Sequence, residues 1–298
     1  NIDSGTSYSY LDIGEAIKDC VGLPLYYSSM ERTQPKVDHQ FNNQRLKKLF
    51  PHFQFTSLSA GIQKMGDVQR VLPCRVCQGK LIPQLDLGLQ PVSNHFLSSP
   101  NDIEQKYPLK TGLCQQCGIM QLIDAFPPES LQPTVSWITY TEPEGHLDQT
   151  ANYLSTILSP NAFVLGISFK DNSTLERLEK RGFNVKLLEP DIDLLISHPG
   201  AGVETIQQQL TISRAQRLSE KYGKADAIIV RHILEHVYDL SEFFAAIKEL
   251  LKPTGYVVFE VPDCSKQLEL LDYSTIWEEH ALYFTPETYK TCLIRHGF

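Results

Sequence analysis

Two C-x-x-C pairs, Cys74-Arg75-Val76-Cys77 and Cys114-Gln115-Gln116-Cys117, constrain this chain more than any other feature. Each pair can present two thiolates from one tight turn, and four soft ligands so arranged suit zinc. Gly79 and Gly118 stand just after the knuckles, where such turns need glycine. A disulfide pairing is the alternative use of the same residues. An acidic chain without a charged-then-apolar leader favours reduced thiols, and a cytoplasmic setting is the default. A closed four-thiolate shell leaves no open position for water, so the zinc is expected to be structural. The interval between the knuckles has room for a strand or loop carrying Asp86-Leu87-Gly88 and Gln90-Pro91-Val92-Ser93-Asn94. Cys20, Cys264 and Cys292 are scattered singly and read as small core or surface residues.

A chain of 298 residues, 42% of them hydrophobic, is long enough for two or three compact units. The formal charge of -8 and the lack of a basic stripe argue against a nucleic-acid partner. Apolar runs such as 225–230 and 256–261 are far too short to span a bilayer, so no membrane partner is expected. Punctuation divides the chain into 1–70, 71–133 and 134–298. The first part has helical patterns at 9–20 and 42–49, joined by an extended stretch at 25–29 and a polar segment containing Pro35. The chain begins at Asn1 without a methionine and stops at Gly297-Phe298, where another strand is due. It reads as a fragment whose last sheet is C-terminally incomplete.

From about residue 147, short apolar runs alternate with helical patterns. Strands are expected at 162–167, 184–188, 225–230 and 256–261, and helices at 175–181, 215–222 and 240–251. Lys252-Pro253-Thr254-Gly255 should end the last helix and turn into the strand. The alternation predicts an α/β fold, a doubly wound parallel sheet of the Rossmann-like kind covered by helices on both faces. Ligands of such sheets lie across the carboxyl ends of the strands, where strand order reverses. Three segments should meet there: the turn Gly166-Ile167-Ser168-Phe169-Lys170-Asp171, then Glu189 after the second strand, then Arg231-His232. Glu189 is placed to accept hydrogen bonds from the two hydroxyls of a ribose. With an imperfect glycine loop, the crevice suits the adenosine of S-adenosylmethionine better than a pyrophosphate. A lone acid after a strand also reads as a solvated turn residue.

Across 74–298 the order of motifs resembles the S-adenosylmethionine-dependent sugar C-methyltransferases. The motifs are the two knuckles, Leu87-Gly88-Leu89-Gln90-Pro91-Val92-Ser93-Asn94, the Gly-x-Ser-x-x-Asp turn, Glu189-Pro190, His232-Ile233-Leu234-Glu235-His236, Glu260-Val261-Pro262, and Glu279-His280 with Tyr283-Phe284-Thr285. The resemblance implies a zinc lobe that closes over a sugar nucleotide and a class I methyltransferase domain that binds the methyl donor. The donor site it implies comprises Gly166, Ser168, Lys170, Asp171, Glu189, Arg231 and His232. Two positions depart from the family pattern: Asn172 stands where a glycine is usual, and Trp277 where a tyrosine is usual. In the first part, Asn1-Ile2-Asp3-Ser4-Gly5, Ser9, Asp12, Ile17, Pro35 to Asp38, Phe55-Thr56-Ser57-Leu58 and Gly61-Ile62 resemble the C-terminal lobe of extended short-chain dehydrogenases that epimerise or dehydrate nucleotide-sugars. That family's dinucleotide loop and Tyr-x-x-x-Lys pair lie upstream of anything here, so no epimerase chemistry is expected.

A sugar carbon becomes nucleophilic only beside a ketone, as an enolate. The resemblance therefore implies a nucleotide-linked keto-sugar substrate, a base that works near neutral pH and a donor for the enolate oxygen. His280 is the expected base, with Glu279 and His236 assisting and Tyr140 as a donor. Tyr140 follows Trp137 and Ile138 and also reads as packing, His236 also reads as a structural histidine, and 277–280 also reads as a surface helix. His232 to His236 matches H-x-x-E-H, the metal motif of inverted zinc peptidases, yet it follows directly on a strand instead of lying within a helix. A further alternative is a zinc-ribbon binding module on an inactive nucleotide-binding fold, which would need neither Glu189 nor His280.

Overall fold

A strand covered on both faces needs an unbroken apolar run, and Ala227-Ile228-Ile229-Val230 supplies one. In the computed structural model of the chain, which describes residues 8–21, 42–62, 73–93, 95–99, 101–132, 143–197 and 202–298, that run is the centre of a parallel sheet. Ile228 and Val230 pack into one apolar cluster and Ala227 and Ile229 into another, as the period of two requires. The chain divides into two compact units, Asn1–Val71 and Leu72–Phe298.

Among the described residues of the first unit, helices run over Tyr10–Val21 and Gln44–Leu49, and residues 58–62 are also helical. Ser9 and Asp12 cap the first reciprocally: the Ser9 amide donates to the Asp12 carboxylate at 2.7 Å, and the Asp12 amide donates to the Ser9 hydroxyl at 3.1 Å. The expected extended stretch at 25–29, Asn1 to Gly5 and Pro35 to Asp38 lie outside the described residues.

The second unit has, in chain order, strands β1 (Leu81–Pro91), β2 (Lys106–Cys114), β3 (Met120–Leu122), β4 (Phe163–Gly166), β5 (Asn184–Leu187), β6 (Ala225–Arg231), β7 (Leu251–Glu260) and β8 (Leu282–Tyr283). The parallel sheet runs β5-β4-β6-β7. Gly145–Ile157 and Asn172–Glu179 cover one face, and Ile212–Tyr222 and Leu240–Leu250 the other. The chain goes from β4 to β5 on one side and returns to β6 on the other, so strand order reverses between β4 and β6. A second, antiparallel sheet runs β1-β2-β3-β8. Its last strand comes from beyond the parallel sheet, so the cysteine-bearing lobe is completed by the far end of the chain.

Caps set the helix starts, which moves the helix expected at 215 three residues earlier and leaves the one expected at 240 in place. Ile212–Tyr222 begins at the Thr211 hydroxyl, which accepts from the Arg214 amide, and Leu240–Leu250 begins at Asp239, which accepts from Glu242. Lys252-Pro253-Thr254-Gly255 is not a free turn. Ala225 pairs with Leu251 and Ala227 with Tyr256, so these four residues bulge out of a strand that starts directly after the helix. In β1 a smaller bulge falls between Asp86 and Leu89, where Gly88 takes φ 71° and its amide donates to Asp86 at 2.8 Å.

Asp171 locks the reversal point. It is fully buried, and its Oδ2 accepts from the amides of Ile167 (2.7 Å) and Ser168 (2.8 Å) while Oδ1 accepts from the Arg231 amide (2.8 Å). One carboxylate thereby ties the turn after β4 to the end of β6. Burial pushes its pKa up to about 7 against the pull of those amides. Replacing Asp171 by Ala leaves three buried amides without acceptors. Urea unfolding should show a loss on the order of 3 kcal/mol, and an unchanged midpoint would contradict this role.

Candidate functional site

The four knuckle sulfurs of Cys74, Cys77, Cys114 and Cys117 all lie within 4.8 Å of one another. The cross-knuckle distances, 3.6 Å for Cys74 to Cys117 and 3.4 Å for Cys77 to Cys114, are close to the edge of about 3.8 Å for a tetrahedron with zinc–sulfur bonds of about 2.3 Å. The set therefore fits zinc, and all four cysteines are free thiols, which sets aside the disulfide pairing. Gly118 takes φ 75°, as the second turn requires. At the first turn Gln78 takes the left-handed conformation (φ 62°), and Gly79 is needed for space, since a Cβ there would come within about 3 Å of Gln116 and the Cys77 sulfur. Burial alone would raise the Cys114 thiol, but the amides of Cys117 and Gln116 bring it down to about 7. Burial raises Cys74 and Cys117, a cost that a dication between the sulfurs offsets. Gln121 on β3 backs the centre: its amide nitrogen donates to the Cys74 sulfur at 3.1 Å, and its oxygen accepts from the Arg75 backbone and guanidinium.

That same strand carries the loop of Glu279 and His280. Met120 pairs with Tyr283 and Gln121 with Leu282, and the Leu122 amide donates to the Ala281 carbonyl at 3.0 Å. From the end of β1 the Ser93 amide donates to the buried Glu278 carboxylate at 2.6 Å. Tyr283 closes the loop on itself, its hydroxyl accepting from the Trp277 amide and donating to the Trp277 carbonyl, both at 3.0 Å. Residues 277–280 therefore form a strapped loop and not a surface helix. Trp277 lies parallel to His280, with ring centres 5.9 Å apart.

His280 meets His236 edge to face at 4.8 Å. The His236 Nδ1 donates to the Glu279 carbonyl at 2.8 Å, and since a carbonyl can only accept, Nε2 is the lone-pair nitrogen. Burial, and then repulsion by His280, brings the His236 pKa down to about 3, so the ring stays neutral. Burial also lowers His280, opposed by Glu235 and Glu278. Burial, with Glu204 and Glu278 nearby, pushes Glu279 up to about 8, so it carries its proton at neutral pH. Tyr140 lies outside the described residues.

At the reversal point the expected contacts separate into frame and surface. Ser168, Asp171 and Arg231 are buried. The Arg231 guanidinium clasps Glu260 at 2.7 and 3.2 Å and donates to the Lys170 carbonyl at 2.5 Å. Gly166 is required by packing, because a Cβ there would meet Leu175 at 2.7 Å. Glu189 is half exposed at the end of β5, paired with Lys186. His232 takes a left-handed φ of 54° and lies between Glu235 (3.4 Å) and Glu260 (3.3 Å). His232 and His236 thus look to different partners, and only a three-residue turn, Leu234–His236, holds the second, so the peptidase geometry of two histidines on one helix face is not formed. Sequence alone does not single out Gln121, and it shows Glu278 and Glu235 only as members of motif strings, without the contacts they make. Glu260 stands in a motif, but its role as the acceptor for Arg231 and His232 comes from the fold.

Residues 136–298 match the family model described as a methyltransferase domain, and residues 74–131 match the one described as "Putative zinc binding domain". A curated relative, the C-methyltransferase NovU of Streptomyces niveus, is 25% identical over 243 residues, covering 78% of this chain. The chain spans 57% of that relative's length. No helix among the described residues is long and apolar enough to cross a membrane.

Metal analysis of the purified protein should give one zinc per chain, lost in Cys74→Ser or Cys114→Ser and retained in His232→Ala. A second zinc that disappears with His232 would contradict this assignment and restore the peptidase reading.

Proposed function

The chain belongs to the methyltransferase family whose model spans residues 136–298, and from that premise we propose that it is an S-adenosylmethionine-dependent C-methyltransferase acting on a nucleotide-linked keto-sugar through an enolate. The observation that carries the reading is a pair of neutral imidazoles, the buried His236 on the turn after β6 and the half-buried His280 on the loop strapped to the zinc lobe, which meet edge to face past the carboxyl end of β6. The relative NovU is itself named a C-methyltransferase, in agreement with it.

S-adenosylmethionine, when bound, supplies an electrophilic methyl on a sulfonium. The donor set fits it better than a diphosphate, because the amides of Ile167 and Ser168 already bond to Asp171 and are not left to cradle phosphate. Glu189, exposed after β5, would accept from the ribose hydroxyls, and Gly166, Ser168, Lys170 and the Arg231-His232 segment would line the rest of the crevice. His280 would take the proton from the carbon next to the ketone. The C–H pair passes into the enolate, an N–H bond forms on the ring, and the carbanion is left to accept the methyl. Glu279, protonated by virtue of its burial, is a donor for the enolate oxygen, a role in which Tyr140 would join it. His236 holds the Glu279 carbonyl and so fixes the loop that carries the base. The zinc centre supplies shape and not chemistry.

The test uses labelled S-adenosylmethionine and a panel of nucleotide-linked keto-sugars, with label sought on carbon. Glu189→Ala should weaken donor binding by about 1–3 kcal/mol in a calorimetric titration. His280→Asn should bind the donor normally and transfer no methyl. Turnover retained in His280→Asn, or no label on carbon from any keto-sugar, would contradict the reading.

A further inference from the structure

Among the groups left over by this account is Glu235. It is 2% exposed; its Oε1 lies 3.4 Å from His232 Nδ1, and its Oε2 has no hydrogen-bond partner among the described residues. A carboxylate oxygen of Glu235, a ring nitrogen of His236 and one of His280 all lie within 4.8 Å of one another. A buried carboxylate with a bare oxygen is costly unless positive charge arrives beside it. The groups that face it are His232 and His236 on its own segment, His280 from the loop before β8, Cys264 after β7 and Tyr289 on the helix Pro286–Arg295. Glu278 lies beside His280, and Glu260 lies beyond His232. None of these is a lysine or arginine, so any positive charge must form on a histidine.

The histidines are not equivalent candidates. His232 is already bracketed by Glu260 as well as Glu235. His236 stays neutral, with its Nδ1 proton committed to the Glu279 carbonyl. His280 remains, and it is the ring that gains a proton if the proposed function holds. We propose that Glu235 is the buried counter-ion of the imidazolium that forms on His280 during turnover, a positioning residue that acts through the base and never touches substrate. The inference rests on the reading of His280 as base. The proton's balance is complete within the site: the substrate's C–H bond breaks, an N–H bond forms on His280, and the ring's unit charge is matched by Glu235 until the proton leaves to solvent. Burial opposes a charged His280, and Glu235 is the first of the groups that resist that effect.

The test follows the ring of His280 directly. In the labelled full chain, with His280→Asn used to assign the resonance, the His280 ring is titrated by NMR in the wild type, Glu235→Gln and Glu235→Asp. In parallel, kcat is profiled against pH. Loss of the anion removes a group that raises the ring's pKa, so in Glu235→Gln both the ring titration and the acid limb of kcat should move to lower pH. At the plateau kcat should fall roughly tenfold or more as the base weakens, with donor affinity unchanged. Glu235→Asp, which keeps the charge but withdraws it, should lie between and covers the case in which the Gln variant fails to fold. A His280 ring that titrates identically in all three proteins overturns the counter-ion. A wild-type protein in which the ring responds to Glu235 but no methyl is transferred overturns the proposed function instead.

Discussion

Two backbone pairings, Met120 with Tyr283 and Gln121 with Leu282, hold the rest of the site in place. A strand of two residues has no stability of its own. It forms because its neighbours are buried in opposite directions: Leu282 and Phe284 enter the cluster that contains Cys74 and Cys114, while Tyr283 enters the cluster of Val92, Leu122 and Phe126. A slip of one residue would exchange the two faces, so register is fixed by packing. His280 lies two residues before this strand. Its position is thereby set by β3, and β3 is set through Gln121 by the sulfur of Cys74. The metal lobe is accordingly not an appendage but the edge on which the histidine loop is built.

The other half of the site is organised by charge. Asp171, Arg231 and Glu260 join the ends of β4, β6 and β7 into one frame, with Arg231 3% exposed and Glu260 bonded to both Arg231 and His232. Those bonds hold the Glu260 carboxyl well below the usual range despite the burial that opposes it. The sign follows: a depressed carboxylate stabilises the fold above its unfolded pKa, about 4.3, and that stability is lost as pH falls below it. With the frame residues turned inward, the half-exposed carboxylate of Glu189 and the loop surface are what the proposed donor site would offer to a ligand. The histidine pair approaches from the zinc-lobe side, where burial keeps both rings neutral and Glu279 protonated.

The parts legible in the sequence are those in which the physics is local. Ligand spacing along two turns is enough to locate Cys74, Cys77, Cys114 and Cys117. Apolar runs are enough to locate β4, β5 and β6 to within a residue or two, whereas β7 starts at Leu251, well before the expected 256, because its first residues bulge out of the ladder. The rest depends on contacts between distant segments. Ser93 and Glu278 are 185 positions apart, and nothing near either residue announces their bond. Asp171 in its turn reads as a ligand contact, yet both of its oxygens face backbone amides that only folding brings together. Gly79 is explained by the approach of Gln116 from the other knuckle. Glu235 is visible in the H-x-x-E-H string, but its bare oxygen is a property of the packed site.

The claim that the metal lobe sets the histidine loop is tested most directly by hydrogen exchange on the protein with zinc present and with zinc removed by a chelator. Protection should fall at the two knuckles and equally at the amides of Leu122 and of 281–283, while β4 and β6 keep theirs. If the knuckle amides lose protection and 281–283 do not, the loop is held by something other than the zinc lobe, and the account fails.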